Sequence, residues 1–162
     1  MNKVFLLDQF NKCYDENGWF VSIRNAVDGM TGDEAAWKPA GADNSVWQTL
    51  SHTTYYNAAY LERFKGVNFQ YDVDDNDATF TAGGGDAEWA AEVERFDRVM
   101  QEFRDLITAA RTLKFDQNVS ETKQTSWGVL IGEINAHNAY HAGQILMLRK
   151  LQGRWDRARG VS

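Results

Sequence analysis

Cysteine is almost missing from this chain. The one thiol, Cys13, excludes an intramolecular disulfide, so a reducing, cytoplasmic compartment is the expectation. Proline occurs once in 162 residues, which removes the main interruption to long helices. A basic surplus is missing too: 17 Lys and Arg stand against 23 Asp and Glu, a formal net charge of −6. That argues against a nucleic-acid partner and gives no reason for adhesion to an acidic membrane surface. No apolar run approaches the roughly 20 residues that span a bilayer. The opening MNKVFLLDQF holds only four consecutive apolar residues, too few for a signal-peptide core.

What is present suits a folded globule. Apolar residues make up 43% and aromatics 13%. With no break in composition and no repeat, residues 1–162 are expected to form one domain. Residues 3–29 read as a first helix through Phe5, Leu6, Phe10, Tyr14, Phe20, Ile23 and Val27, with Gly18 as a soft spot. Thr31 caps one short acidic turn that Pro39 ends. A second helix starts after Asn44 or Ser45 and runs to about Lys65. After an Asp- and Gly-rich connection, Asp86 is placed to cap a third helix to about Leu113. A fourth starts after Thr125 or Ser126 and stops near Gly153, a natural glycine stop. Four long helices suggest a bundle, with wiring that the long connections leave open.

The chain has three histidines. His137 and His141 lie one helical turn apart in GEINAHNAYHAGQILMLRKLQG. On that helix Trp127, Leu130, Ile134, His141, Ile145 and Leu148 form one face, and His137 sits at its edge. Two interior imidazoles so close would repel if both were charged. Sharing a cation keeps both neutral, and a third imidazole would complete three protein ligands with one position open. His52 is the remaining candidate. The main apolar side of its helix passes through Val46, Leu50, Asn57, Leu61 and Phe64, and His52 projects away from it beside Tyr55, Tyr56 and Ala59. That helix is apolar over a wide arc, so periodicity alone does not place His52 at a metal. A lone helical histidine is more often a hydrogen-bonded residue than a ligand.

The zinc-protease signature H-E-x-x-H needs Glu directly after the first histidine; here the residue is Asn138, which disfavours that mechanism. Glu133 lies one turn before His137. It is a candidate general base or partner to a ligand, weighed against a solvated glutamate that suits the helix start.

HNAYHAGQILMLRKLQG resembles the last helix of DinB/YfiT-like proteins, with H-x-x-x-H followed by G-Q-I and L-R. SVWQTLSHTTYYNAAYLERF resembles their second helix, with a tryptophan five residues before the histidine, and MTGDEAAWKPA is similar to the approach to it. The resemblance covers most of the chain, the middle loop matching least. It implies an up-down-down-up four-helix bundle, often dimeric, with a divalent metal, commonly zinc or nickel, on His52, His137 and His141. Characterised members include thiol-dependent S-transferases and a thiol-dependent isomerase, and others are described as metal-dependent hydrolases. The implied function is therefore a metal-dependent enzyme acting on a small molecule, with a low-molecular-weight thiol as cosubstrate. A hydrolase and a non-catalytic metal-binding structural or interaction protein are the alternatives, and histidines that merely fill a core are the third. A blocked mouth or a fourth protein ligand would favour the non-catalytic reading.

Other signals are bland. Asp72, Asp74 and Asn76 have calcium-loop spacing, but Asp77 and Gly83 occupy the positions that need glycine and glutamate. Gly83, Gly84 and Gly85 lack the Lys-Ser/Thr of a phosphate loop. Arg149, Lys150, Arg154, Arg157 and Arg159 complement a helix C-terminus, with docking of an anionic thiol as the rival reading. Trp47 and Trp127 begin the two histidine-bearing helices and are candidates to line one mouth.

Overall fold

The computed structural model describes residues 2–122 and 124–160. Among these the architecture is all-α, with six α-helices and no strand. The helices are α1 (Lys3–Tyr14), α2 (Ile23–Val27), α3 (Gly32–Ala36), α4 (Val46–Lys65), α5 (Asp86–Ala109) and α6 (Trp127–Leu151). The four long ones form a closed set of neighbours: α4 on α5, α5 on α1, α1 on α6 and α6 on α4.

The expected first helix over 3–29 is two helices. The polar run after Tyr14 supplies the reason. Asn17 Oδ1 accepts from the Ser22 backbone N–H at 3.1 Å, and Asn25 Nδ2 donates to the Asp15 carbonyl at 2.9 Å. Such side chains compete with helix hydrogen bonds and close a turn. Other boundaries follow the sequence closely. Thr31 and Glu34 form a capping box on α3, Ser45 and Gln48 form another on α4, and Ser126 caps α6. Gly153 has φ +68° just beyond α6.

Asp86 does not cap α5; Gly85 does, with φ +93°. The Asp86 carboxylate instead accepts from the Gly32 N–H at 2.7 Å and ties α3 to α5. A Cβ on Gly32 would stand 2.6 Å from the Gly85 carbonyl, so this junction requires glycine. α5 ends at Ala109, short of the expected Leu113, because the chain turns through Thr112–Asp116 to bury Phe115.

The core is aromatic. Phe10 and Phe103 meet at 5.6 Å, Tyr14 and Phe96 at 5.8 Å, and Phe64 and Phe103 at 5.7 Å between ring centroids. Phe10, Phe96 and Phe103 are fully buried, each contributing roughly 1.5–3 kcal/mol by leaving water. Trp47 packs on Trp89 and Trp127 packs on Phe64. Trp47 and Phe64 sit near opposite ends of α4, so the two tryptophans do not line one mouth. Arg149 is buried and donates to the Ala26 carbonyl at 2.7 Å, Arg154 pairs with Glu34, and Arg159 pairs with Asp28. The basic end is thus engaged with α2, α3 and the link between them.

Candidate metal centre

His52 belongs to α4, and His137 and His141 to α6. Their packing brings the three imidazoles together, with ligand-capable nitrogens all within 4.8 Å of one another. His137 Nε2 lies 3.2 Å from His52 Nε2 and 3.0 Å from His141 Nε2. His52 is 4% exposed and His141 5%. The orientation that periodicity left open for His52 is therefore inward. Its ring stacks on Phe80 at 4.0 Å between centroids, an apolar wall supplied by the connection between α4 and α5.

That connection also sets the proton on His52. The Thr79 hydroxyl donates its one proton to the Asn76 carbonyl at 2.6 Å. Toward His52 Nδ1, 2.7 Å away, it can only accept. Nδ1 therefore carries the hydrogen and Nε2 the lone pair. Gln144 repeats the arrangement on α6. Its Oε1 lies 2.7 Å from His141 Nδ1, and its Nε2 donates to the Tyr140 hydroxyl at 2.9 Å. Both Nε2 lone pairs thus point at His137 Nε2.

Protonating this cluster is unfavourable. Burial pushes the His52 imidazole down to about 3, and the neighbouring His141 and His137 act in the same direction. His141 is pushed down to about 4, first by burial and then by His137, against the hydrogen bond that it donates to Gln144 Oε1. Burial lowers His137 as well, with Asn138 opposing. Neutral imidazoles with converging lone pairs are the donor set of a divalent transition metal. Metal–nitrogen bonds of about 2.0–2.1 Å in a tetrahedral site separate ligand nitrogens by roughly 3.3–3.4 Å. The two spacings to His137 Nε2, 3.2 and 3.0 Å, are close to that, and the whole set stays within 4.8 Å, so the residues fit a metal ion. Nickel and zinc both accept imidazole, and nothing in this donor set separates them.

Asn138, where a zinc protease carries its glutamate, is fully buried and forms a reciprocal pair with Asn57 on α4 at 2.9 and 3.1 Å. It clamps α6 to α4 beside His137. Glu133 is exposed and lines the same cavity as the histidines. That cavity measures about 960 Å³ and is open to solvent, with Tyr56, Tyr60 and Tyr140 in its wall. Among the described residues, the metal-capable group has these three histidines and no fourth Cys, Asp or Glu. Asp72 and Asn76 accept instead from the Tyr55 and Tyr56 hydroxyls and pin their loop to α4.

Residues 22–145, which include all three histidines, match the family model of the DinB superfamily. The chain belongs to the DinB superfamily. No curated protein and no solved structure matches it. For a DinB superfamily chain, the glutamine of the G-Q-I stretch gains a physical role: Gln144 orients His141. Thr79 and Phe80 had no signal in the sequence. They stand in the middle loop, outside any periodic pattern, and only the fold carries them to His52.

Proposed function

We propose that this is a metal-dependent enzyme in which His52, His137 and His141 hold one divalent cation, zinc or nickel, for transfer chemistry on a low-molecular-weight thiol. One observation carries the reading: three Nε2 atoms converge in the wall of an open cavity of about 960 Å³, two of them fixed as lone-pair donors by Thr79 and Gln144. A cation held there lowers the pKa of a thiol or water brought to its open position, giving a nucleophile near neutral pH. The protein's part is to orient. Thr79 and Phe80 fix the plane of His52, Gln144 fixes His141, and the Asn57–Asn138 pair holds the helices that carry them. The cavity leaves room for an electrophile beside the cluster.

A hydrolase needs a base, and Glu133 on the cavity wall is the candidate. The open cavity and three-residue group speak for a reactive site over a closed, purely structural one. The test is thiol consumption with a model electrophile, comparing metal-loaded and metal-stripped protein. Turnover that requires metal and survives Glu133→Gln supports the transferase; metal-dependent turnover that needs Glu133 but no thiol moves the assignment to a hydrolase. No rate above the stripped protein with several thiols removes the enzymatic reading.

We also read the four long helices as up-down-down-up. Trp47 with Trp89 and Phe64 with Phe103 pair like ends of α4 and α5, whereas Phe64 with Trp127 pairs the end of α4 with the start of α6. Phe10 with Phe103 and Tyr14 with Phe96 run α1 against α5. A single domain, a homodimer and a cytoplasmic location complete the proposal. Exposed Tyr140, Met147 and Leu151 on α6 offer apolar surface for a dimer, which light scattering reads. No helix among the described residues is long and apolar enough to cross a membrane.

A further inference from the structure

The cavity beside the histidines has a one-signed rim. Asp43, Asp77 and Glu133 line it, and none of the three forms an ion pair among the described residues. No lysine or arginine joins the lining among those residues. Two cations stand just outside the lining: Lys38 donates to the Asp43 carbonyl at 3.2 Å, and Arg63 lies over the Tyr60 ring at 5.7 Å from its centroid. Tyr56 and Tyr140 add aromatic rings to the same wall. Three neutral imidazoles add no charge of their own, and a divalent cation would offset only two of the three negative charges. A concave wall of this kind concentrates cations and repels anions, and tyrosine faces attract an ammonium group.

From this charge distribution we infer that the site selects a positively charged small molecule, a thiol or electrophile bearing an ammonium group remote from its reacting atom. Carboxylate-rich and phosphorylated cosubstrates are disfavoured. This rests on the metal-and-thiol reading above and narrows its substrate class. The ammonium sits toward Asp43, Asp77 and Glu133 while the sulfur faces the histidines. Each exposed carboxylate adds a small attraction, screened by salt, and together they give a preference of roughly tenfold for a cation over an anion of equal size.

The test uses the intact protein loaded with cobalt(II), whose thiolate charge-transfer band reports sulfur binding without turnover. Three probes are titrated: 2-aminoethanethiol, 2-mercaptoethanol and mercaptoacetate, each losing its S–H proton to buffer on binding. Because their thiol acidities differ, the reading is the ratio between the parent and an Asp43→Asn, Asp77→Asn, Glu133→Gln variant. The inference expects the cation-over-anion ratio to fall roughly tenfold in the variant, and to shrink in the parent as salt rises. A ratio unchanged within twofold, with thiols still binding, overturns the charge selection and leaves the metal reading standing. Cobalt uptake without any thiol band, or no cobalt uptake at all, overturns the reading beneath it and the selection with it. If the triple variant does not fold, Glu133→Gln alone and the salt series in the parent carry the same comparison, each expected to lower the ratio.

Discussion

Replacing Thr79 by Val tests how the fold sets the proton on His52. Valine has nearly the shape of threonine, and the position is 3% exposed, so packing is preserved. Two hydrogen bonds vanish: the 2.6 Å bond to the Asn76 carbonyl and the 2.7 Å contact to His52 Nδ1. A buried donor left without an acceptor costs about 1–3 kcal/mol. His52 can escape that cost by moving its proton to Nε2, which removes the lone pair from the cluster. Metal affinity should then fall roughly 10–100-fold, the usual effect of losing a ligand's outer partner. That corresponds to about 1.4–2.7 kcal/mol. Thr79→Ser keeps the hydroxyl and should stay within about threefold of the parent by the same reasoning. Competition with a chelator of known affinity measures both variants, and thermal unfolding of the metal-free proteins separates folding from binding. If Thr79→Val binds metal as tightly as the parent, or loses only thermal stability, Thr79 does not fix the tautomer and the reasoning fails.

Three further outcomes follow from the geometry. Asn138→Leu strands Asn57 in the core and should destabilise by about 1–3 kcal/mol in urea unfolding, whereas the double change with Asn57→Leu should recover part of the loss; additive losses would contradict a direct pair. Cys13 is 2% exposed and burial pushes its thiol up to about 12, so a thiol reagent at pH 8 should leave the native protein unmodified and react only after denaturation; rapid native labelling would refute that. With the folded-state values of His52 and His141 at about 3 and 4, the unfolded chain takes up protons first as pH falls. The folded state therefore keeps its full metal-free stability from these groups above about pH 6.5 and loses it as pH falls from there toward about 4 for His141 and about 3 for His52. Imidazole proton shifts of the metal-free protein should still show both rings neutral at pH 5.5, and midpoints near 6.5 would contradict the burial.

The helices were largely legible because their ends are written in local chemistry. Thr31, Ser45 and Ser126 cap as their residue types suggest, and the interior stripe on α6 turns His141 inward. The break after Tyr14 was not legible, because Phe20, Ile23 and Val27 continue a helical spacing across it. What decides there is the side-chain turn built by Asn17 and Asn25. Asp86 looked like a cap because it follows three glycines, but a distant amide on Gly32 claims its carboxylate. The site divides in the same way. His137 and His141 follow from periodicity, since one helix holds both. His52 needed the family resemblance, because its burial depends on packing between helices and on Phe80 closing over it. Thr79, which acts through a loop brought in by the fold, had no pattern to betray it.

The central claim is that these three histidines hold a metal, and metal content measures it most directly. Protein purified without an affinity tag should contain close to one zinc or nickel per chain, and His141→Ala should lose most of it. Less than about one metal per ten chains in the parent, or a content unchanged by His141→Ala, would contradict the account.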